Sequence, residues 1–351
     1  MSNIFTGLTA FVNEQRFRTD FWTEALYGND VAPFISAVGM TAPGVKENTF
    51  TFPKLSGTVS IADGAACSDD FDNGNDTTIS QTSITLKKFL IQDSFCPHSE
   101  AYETYFTALG MPAGQHYTNL GIWQAPMVAE IGRRIGKRLA INFWQGNQSG
   151  DTWTFDGYHD QLLAANLGTY NASSNVTGGN VGSTTPTEGG AAGTDPEGAY
   201  NIMEALVMAA LRTASVTGSD LAADLIAGNC YIVCNPVDRE LMRRNYAKRF
   251  GLAMPEHAPA LASVMANAQG AFNFPGYNLP VLTQAHIPVG TILLSRKANQ
   301  VLAFDLESDL TKMDIWLADD HDTIKWKYRG KVGVGFRALD GSNLKVWGPA
   351  S

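Results

Sequence analysis

Few residues in this chain have the chemistry of ligands or nucleophiles, and their spacing serves that chemistry poorly. Asp319-Asp320-His321-Asp322 offers three carboxylates and an imidazole, all good cation ligands. The spacing matches no calcium loop, and four adjacent residues in a turn point in different directions, so a solvated turn is the better reading. Cys230 and Cys234 bracket the apolar triplet Tyr-Ile-Val. On a strand they share a face but lie roughly 13 Å apart at ~3.3 Å per residue. That is too far for a disulfide and unlike a zinc CxxC pair, so both are expected to be buried as small hydrophobes. Cys67 is the expected exposed thiol, and Cys96 is uninformative. Glu100 and Glu103 share a short predicted helix and read as its wet face. There is no GxSxG, P-loop, HExxH or GxGxxG. Gly333-Val-Gly335 stands in a strand context with no helix after it, which is not a nucleotide fingerprint. The histidines, His98, His116, His159, His257, His286 and His321, are scattered without an obvious Ser or Cys partner. No catalytic group, metal or cofactor is expected, and the weight moves to a structural or binding protein.

One charged cluster remains. Arg133, Arg134, Lys137 and Arg138 fall within about one and a half helical turns. They lie in residues 126–146, PMVAEIGRRIGKRLAINFWQG, where Met127, Ile131, Ile135, Leu139 and Phe143 recur every four residues, with Val128 and Trp144 widening the stripe. This spacing predicts a long amphipathic helix. Pro126 suits its first turn, and Gly146 the position after its end. Gly132 and Gly136 each cost roughly 1 kcal/mol of helix propensity, so tertiary contacts must hold this helix. The basic stripe could touch phosphates. A solvated face or a contact with acidic residues of another subunit is the preferred reading.

The elements that position these residues follow from bulk properties and patterning. A chain of 351 residues has room for two domains. Its net charge of −9 opposes nucleic acid and anionic membranes over most of the surface. No run approaches a membrane span of ~20 apolar residues. The N-terminus lacks a basic region followed by an apolar core, so no signal peptide is expected. Four cysteines are too few for a disulfide scaffold, which suits synthesis in a cytoplasm.

Residues 1–45 open with an aromatic helical pattern, Phe17 with Phe21 and Trp22 with Leu26, before Pro43-Gly44 breaks it. Residues 46–95 read as two extended segments, with Phe50 and Phe52 alternating in the first. In the second, Ile84 and Leu86 alternate, then the phase slips before Phe89 and Ile91, which predicts a bulge or a change of environment. Between them, residues 62–78 form an acidic, Gly-rich tip. A helix is expected over 97–110 and a short one over 159–167. Residues 168–195 are almost wholly Gly, Ser, Thr, Asn and Ala, and the two glycosylation sequons there read as chance. An αβ segment follows: helices to 214 and over 219–227, strand 230–234, and a helix over 237–250 opened by Asn235-Pro236. Extended structure is expected over 277–282, 291–295 and 300–305, and after it over 314–317, 323–328, 331–336 and 344–347.

This order of parts resembles the major capsid proteins of tailed bacteriophages, with the Hong Kong 97-like fold. The resemblance is carried by MVAEIGRRIGKRLAINFWQGNQSGDTW, NCYIVCNPVDRELMRR, FNFPGYNLPVLTQAHIPVGTILLSRK and TIKWKYRGKVGVGFRALDGSNLKVW. It implies an α+β chain with an N-terminal arm at 1–45 and an extended β-loop at 46–95. The peripheral (P) domain would begin at 96–167, with spine helix 126–146. The Gly/Ser/Thr-rich loop 168–195, an axial (A) domain at 196–305 and closing P-domain strands at 306–351 would follow. The implied function is an icosahedral shell around a double-stranded DNA genome, with no enzymatic activity. The implied partners are copies of itself in hexamers and pentamers, portal and scaffold proteins, and weakly held DNA. The location would be the virion, after synthesis in a bacterial cytoplasm. A scaffold would be a separate protein or a removed piece. Inter-subunit contacts are expected from Phe17, Phe21, Trp22, Phe50, Phe52, Arg133, Arg134, Lys137 and Arg138. Some relatives cross-link a loop lysine to an asparagine of another subunit. Lys54, Lys87 and Lys88 lie in that region, with nothing else to support a cross-link. An encapsulin-like shell around cargo enzymes, an αβ hydrolase using Asp319, Asp320 or His321, and a tail structural protein are the competing readings.

Overall fold

A strand buried on both faces divides the molecule. In the computed structural model, residues 31–43, 45, 47–57, 77–95, 120–150, 155–164, 180–182, 198–217, 220–249, 272–274, 277, 279–305, 312–317, 324–339 and 343–348 are described. Cys230–Cys234 is β6 and every residue in it is buried. Tyr231 and Val233 enter one core, while Cys230, Ile232 and Cys234 enter another. The side-chain period of two sends alternate residues to opposite faces, so a continuous apolar run is what a doubly covered strand requires.

The chain begins with α1 (Val31–Val38), β1 (Met40–Pro43), β2 (Thr49–Gly57), β3 (Thr77–Thr85) and β4 (Lys87–Phe95). It continues with α2 (Leu120–Gln145), α3 (Tyr158–Ala164), β5 (Asn180–Gly182), α4 (Ala199–Thr217) and α5 (Asp220–Ile226). After β6 come α6 (Pro236–Arg249), β7 (Phe272–Phe274), β8 (Leu279–Thr283), β9 (Ile292–Arg296) and β10 (Gln300–Asp305). β11 (Lys312–Leu317), β12 (Ile324–Phe336) and β13 (Leu344–Trp347) follow. The first sheet has the order β1-β10-β12-β11, with β4 also paired to β12. The second has the order β5-β13-β9-β6-β8-β7, and β2-β3 stand as a separate pair. In the first sheet, residues 324–329 of β12 pair with both β4 and β11, and residues 331–332 with both β4 and β10. β12 therefore carries β4 on one edge and β10 then β11 on the other.

One core joins the two sheets. It contains Ile135, Leu139, Phe143 and Trp144 of α2, Val332, Val334 and Phe336 of β12, and Tyr231, Val233, Leu344 and Val346 of the second sheet. Aromatic rings run through it in sequence: Tyr231 to Phe34 at 5.9 Å, Phe34 to Trp144 at 6.4 Å, Trp144 to Tyr158 and Tyr158 to Phe336 at 5.2 Å each. Such pairs contribute roughly 0.5–1.5 kcal/mol beyond the area they bury. Tyr158 Oη donates to the Val301 carbonyl at 2.7 Å, and Tyr231 Oη to Gln300 Oε1 at 2.7 Å. Burial raises the pKa of both phenols, so both stay protonated as donors. The second core lies between α4, α5 and α6 and the outer face of the second sheet.

Several expected boundaries change. The long helix starts at Leu120, so Pro126 is inside it rather than in its first turn. The proline removes one N–H bond toward Ile122, and the helix extends past it regardless. Residues 31–43 of the expected arm belong to the body: α1 contributes Phe34 and Ile35 to the joining core, and β1 pairs in parallel with β10. The expected limit at 305/306 does not follow the sheets, because β10 lies in the first and β13 in the second. β13 completes the free edge of β9 with Leu344 and Val346 turned into the core. The Gly/Ser/Thr-rich stretch contains a strand, β5, paired in parallel with β13. The aromatic pattern of Phe17, Phe21 and Trp22, the helix over 97–110 and the turn 319–322 lie outside the described residues.

Candidate functional site

Among the described residues the hairpin β2–β3 has no partner strand beyond itself, and its root shows how it is held. The phase slip between Ile84/Leu86 and Phe89/Ile91 is the point where the chain exchanges β2 for β12 as its neighbour. Ile84 and Leu86 are buried on one phase, and Phe89 and Ile91 are half-buried against the joining core on the other. Leu86 itself leaves the ladder, and its N–H donates to the Asn48 carbonyl at 2.8 Å.

Four further contacts anchor that root. Lys331 Nζ, on a fully buried side chain, donates to the Glu47 carbonyl at 2.7 Å. Val45 N–H donates to the Phe304 carbonyl at 3.3 Å. Phe52, Ile84 and Val301 form a small apolar cluster, and Ala42, Val45, Leu86 and Ala303 another. Gly333 and Gly335 admit the crossing backbone. A Cβ at Gly333 would lie 2.6 Å from the Thr85 carbonyl oxygen, and one at Gly335 would lie 2.8 Å from Ile84 Cγ1. Glycine in a strand marks such a close approach. The Gly-Val-Gly that failed as a nucleotide motif is thus the seat of the hairpin.

The expected contact residues divide between several settings. Arg133, Arg134, Lys137 and Arg138 are all exposed on α2, while Ile135, Leu139 and Phe143 point inward. Phe52 is 6% exposed and packs at 4.5 Å, edge to face, on half-buried Phe50. Its ring is covered by its own chain, because alternation puts it on the face that meets Val301, so it does not present a surface to a neighbour. Lys87 and Lys88 lie in β4, opposite Val332 and Lys331. Cys230 and Cys234 are buried free thiols, and burial, then Asp224, raises Cys230 to about 12. Among the described residues no group of three or more His, Cys, Asp or Glu is placed to hold a metal ion. No described helix is long and apolar enough to cross a membrane.

A second fastening was foreseen in its Asn235 cap and not in its tie to Gly290. Asn235 caps α6, its Oδ1 accepting Val237 N–H at 3.0 Å while Nδ2 donates to the Ile287 carbonyl at 2.7 Å. Asp238, fully buried three residues on, accepts Gly290 N–H through Oδ2 at 2.9 Å. Gly290 has φ 91°, a conformation that disfavours other residues. Burial pushes Asp238 up to about 6, the Gly290 and Asn235 N–H groups acting against that rise. Asn235 does not complete a bond to Oδ1, which has no partner. Asn-Pro-x-Asp before a helix was a usable signal for this cap.

No protein-family model and no curated protein sequence matches the chain. Solved structures do match. The asymmetric unit of the mature capsid of bacteriophage PhiM1 is similar at TM-score 0.51 and 12% identity, over 88% of this chain and 85% of that one. The capsid of the native GTA particle is similar at TM-score 0.50 and 12% identity, over 90% of each chain. The procapsid of satellite phage P4 with its size determination protein gives TM-score 0.50 and 11% identity, over 98% and 94%. The fold is the Hong Kong 97-like capsid fold.

Proposed function

We propose that this chain is the major capsid protein of a tailed bacteriophage, self-assembling as hexamers and pentamers into the icosahedral shell that encloses a double-stranded DNA genome. The likeness in fold to phage capsid structures over about nine-tenths of both chains carries this reading. The hairpin supports it. Its nine register pairs extend from an anchored root, and an isolated two-stranded ribbon is at best marginally stable in water. Residues 47–95 lie over an adjacent subunit, which covers the ribbon beyond its anchored root. Many such contacts, each weak, make a stable lattice. Residues 31–95 with the first sheet form the peripheral region, and the second sheet with α4–α6 the axial region. Phe17, Phe21, Trp22 and the basic stripe of α2 add contacts between copies. Portal and scaffold proteins complete the partner set, the protein resides in the virion, and no catalytic centre is needed. Electron microscopy of the purified protein tests the reading. Closed shells with nucleic acid are the expected result. Shells holding an enzyme cargo, rods or trimers, or a monomer with a metal-dependent activity would each overturn it.

A further inference from the structure

The face of β12 that seats the hairpin does not end there. Directly opposed residues of an antiparallel pair share a face, so Gly335, Gly333, Lys331, Arg329, Lys327 and Lys325 follow one another along it. The hairpin root covers the two glycines, and Glu47 covers Lys331. Beyond that point the face opens: Arg329 and Lys325 are exposed and Lys327 is half-buried. β4 lies alongside with Lys88 opposite Lys331, Leu90 opposite Arg329, Gln92 opposite Lys327 and Ser94 opposite Lys325. All four β4 residues are exposed, Leu90 at 52%. The opposite face holds Phe89, Ile91 and Trp326 against the joining core. On the other edge β11 places Lys312 opposite Arg329, Asp314 opposite Lys327 and Trp316 opposite Lys325. By register this face carries Lys88, Lys312, Lys325, Lys327 and Arg329 against the one carboxylate of Asp314, on a chain whose net charge is −9.

The complementary charge is in the hairpin's own sequence. Between Leu55 and Leu86 there is no Lys or Arg, while Asp63, Asp69, Asp70, Asp72 and Asp76 cluster at the tip, with Phe71 among them. Nine rungs carry the hairpin's far end about 30 Å from Leu86, whereas Lys88 and Arg329 lie just past that residue. We propose that the open basic face of β4 and β12 receives the acidic tip, residues 62–76, of a second copy of this chain. This names the seat of the extended loop and so rests on the capsid reading. Every copy carries both charges, so the contact is repeated at each subunit of a lattice. Like-charge juxtaposition elsewhere suppresses wrong pairings.

A charge-swap experiment tests it. Face variant K88E/K325E/R329E and tip variant D69K/D70K/D72K are purified separately and assembled alone and as an equimolar mixture. Each alone should give about tenfold fewer particles at low salt, the scale expected when charge pairs become repulsive. The mixture should recover particles, because each variant's tip then meets the other's face, and recovery also shows that both variants fold. Particles from either variant alone at the wild-type level overturn the proposal. So does a mixture that stays unassembled, or a face variant that forms normal shells and loses only nucleic acid. Failure of the unaltered protein to form shells would instead sink the capsid reading itself.

Discussion

Asp238 shows how one buried carboxyl can set a pH response. Its folded pKa of about 6 lies above the ordinary 3.8. The folded state therefore binds the proton more tightly. That stabilisation is fully present below pH 4 and is lost as the pH rises through 6. Two pH units correspond to about 3 kcal/mol at most. Asp238→Asn keeps the shape and removes the charge, so it should raise Tm at pH 7.5 and flatten Tm between pH 4 and 6. An unchanged pH profile would show that Asp238 is not the titrating group. Ile135, 4% exposed in the joining core, gives the opposite case. Ile135→Asp buries a charge in an apolar core and should cost more than about 4 kcal/mol. Loss of soluble folded protein and of particles is the expected result, and assembled particles from this variant would refute the placement of α2.

At the scale of elements, the hairpin root separates folding from assembly. The root is fixed by Lys331 on Glu47, Leu86 N–H on Asn48 and the close approach over Gly333. A methyl at Gly333 would meet backbone at 2.6 Å, which cannot yield as a flexible side chain would. The body can keep its two cores if the hairpin lifts. Gly333→Ala should therefore lower Tm by only a few degrees, a change of about 1 kcal/mol, while particle yield falls sharply. Circular dichroism and sedimentation on the same sample separate the two effects. A variant that assembles normally would mean that the hairpin's direction is set elsewhere.

At the scale of the molecule, two sheets share one core around α2 and a chain of aromatic rings, so the two sheets move as neighbours in one packed unit. The hairpin is the described part that leaves this body. Deleting residues 62–78 should leave the monomer folded, since the described residues of both cores lie outside that segment, and should prevent normal shells. Sizing chromatography with electron microscopy reads both outcomes, and normal particles would contradict the role given to the extended loop.

How much could be read from the residues depended on the range of the forces involved. Apolar periodicity is local, and it was enough for α2, β6, the cap at Asn235, the strands at 300–305 and 344–347, and the resemblance built on their order. The phase slip at Leu86 was visible too, because a strand cannot change its buried face without changing partner. Which sheet each strand joined was not legible, since β10 and β13 have similar alternation and only long-range pairing assigns them. The seat at Gly333 and Gly335, the pairing of Lys331 with Glu47 and the alignment of Lys88, Lys325 and Arg329 on one face join residues more than 200 positions apart. No local pattern encodes those distances. The sequence alone determined where α2, β6 and the closing strands form, because the spacing of their apolar residues is local. Tertiary register decided where its charges collect, because only pairing between distant strands puts their side chains on a common face.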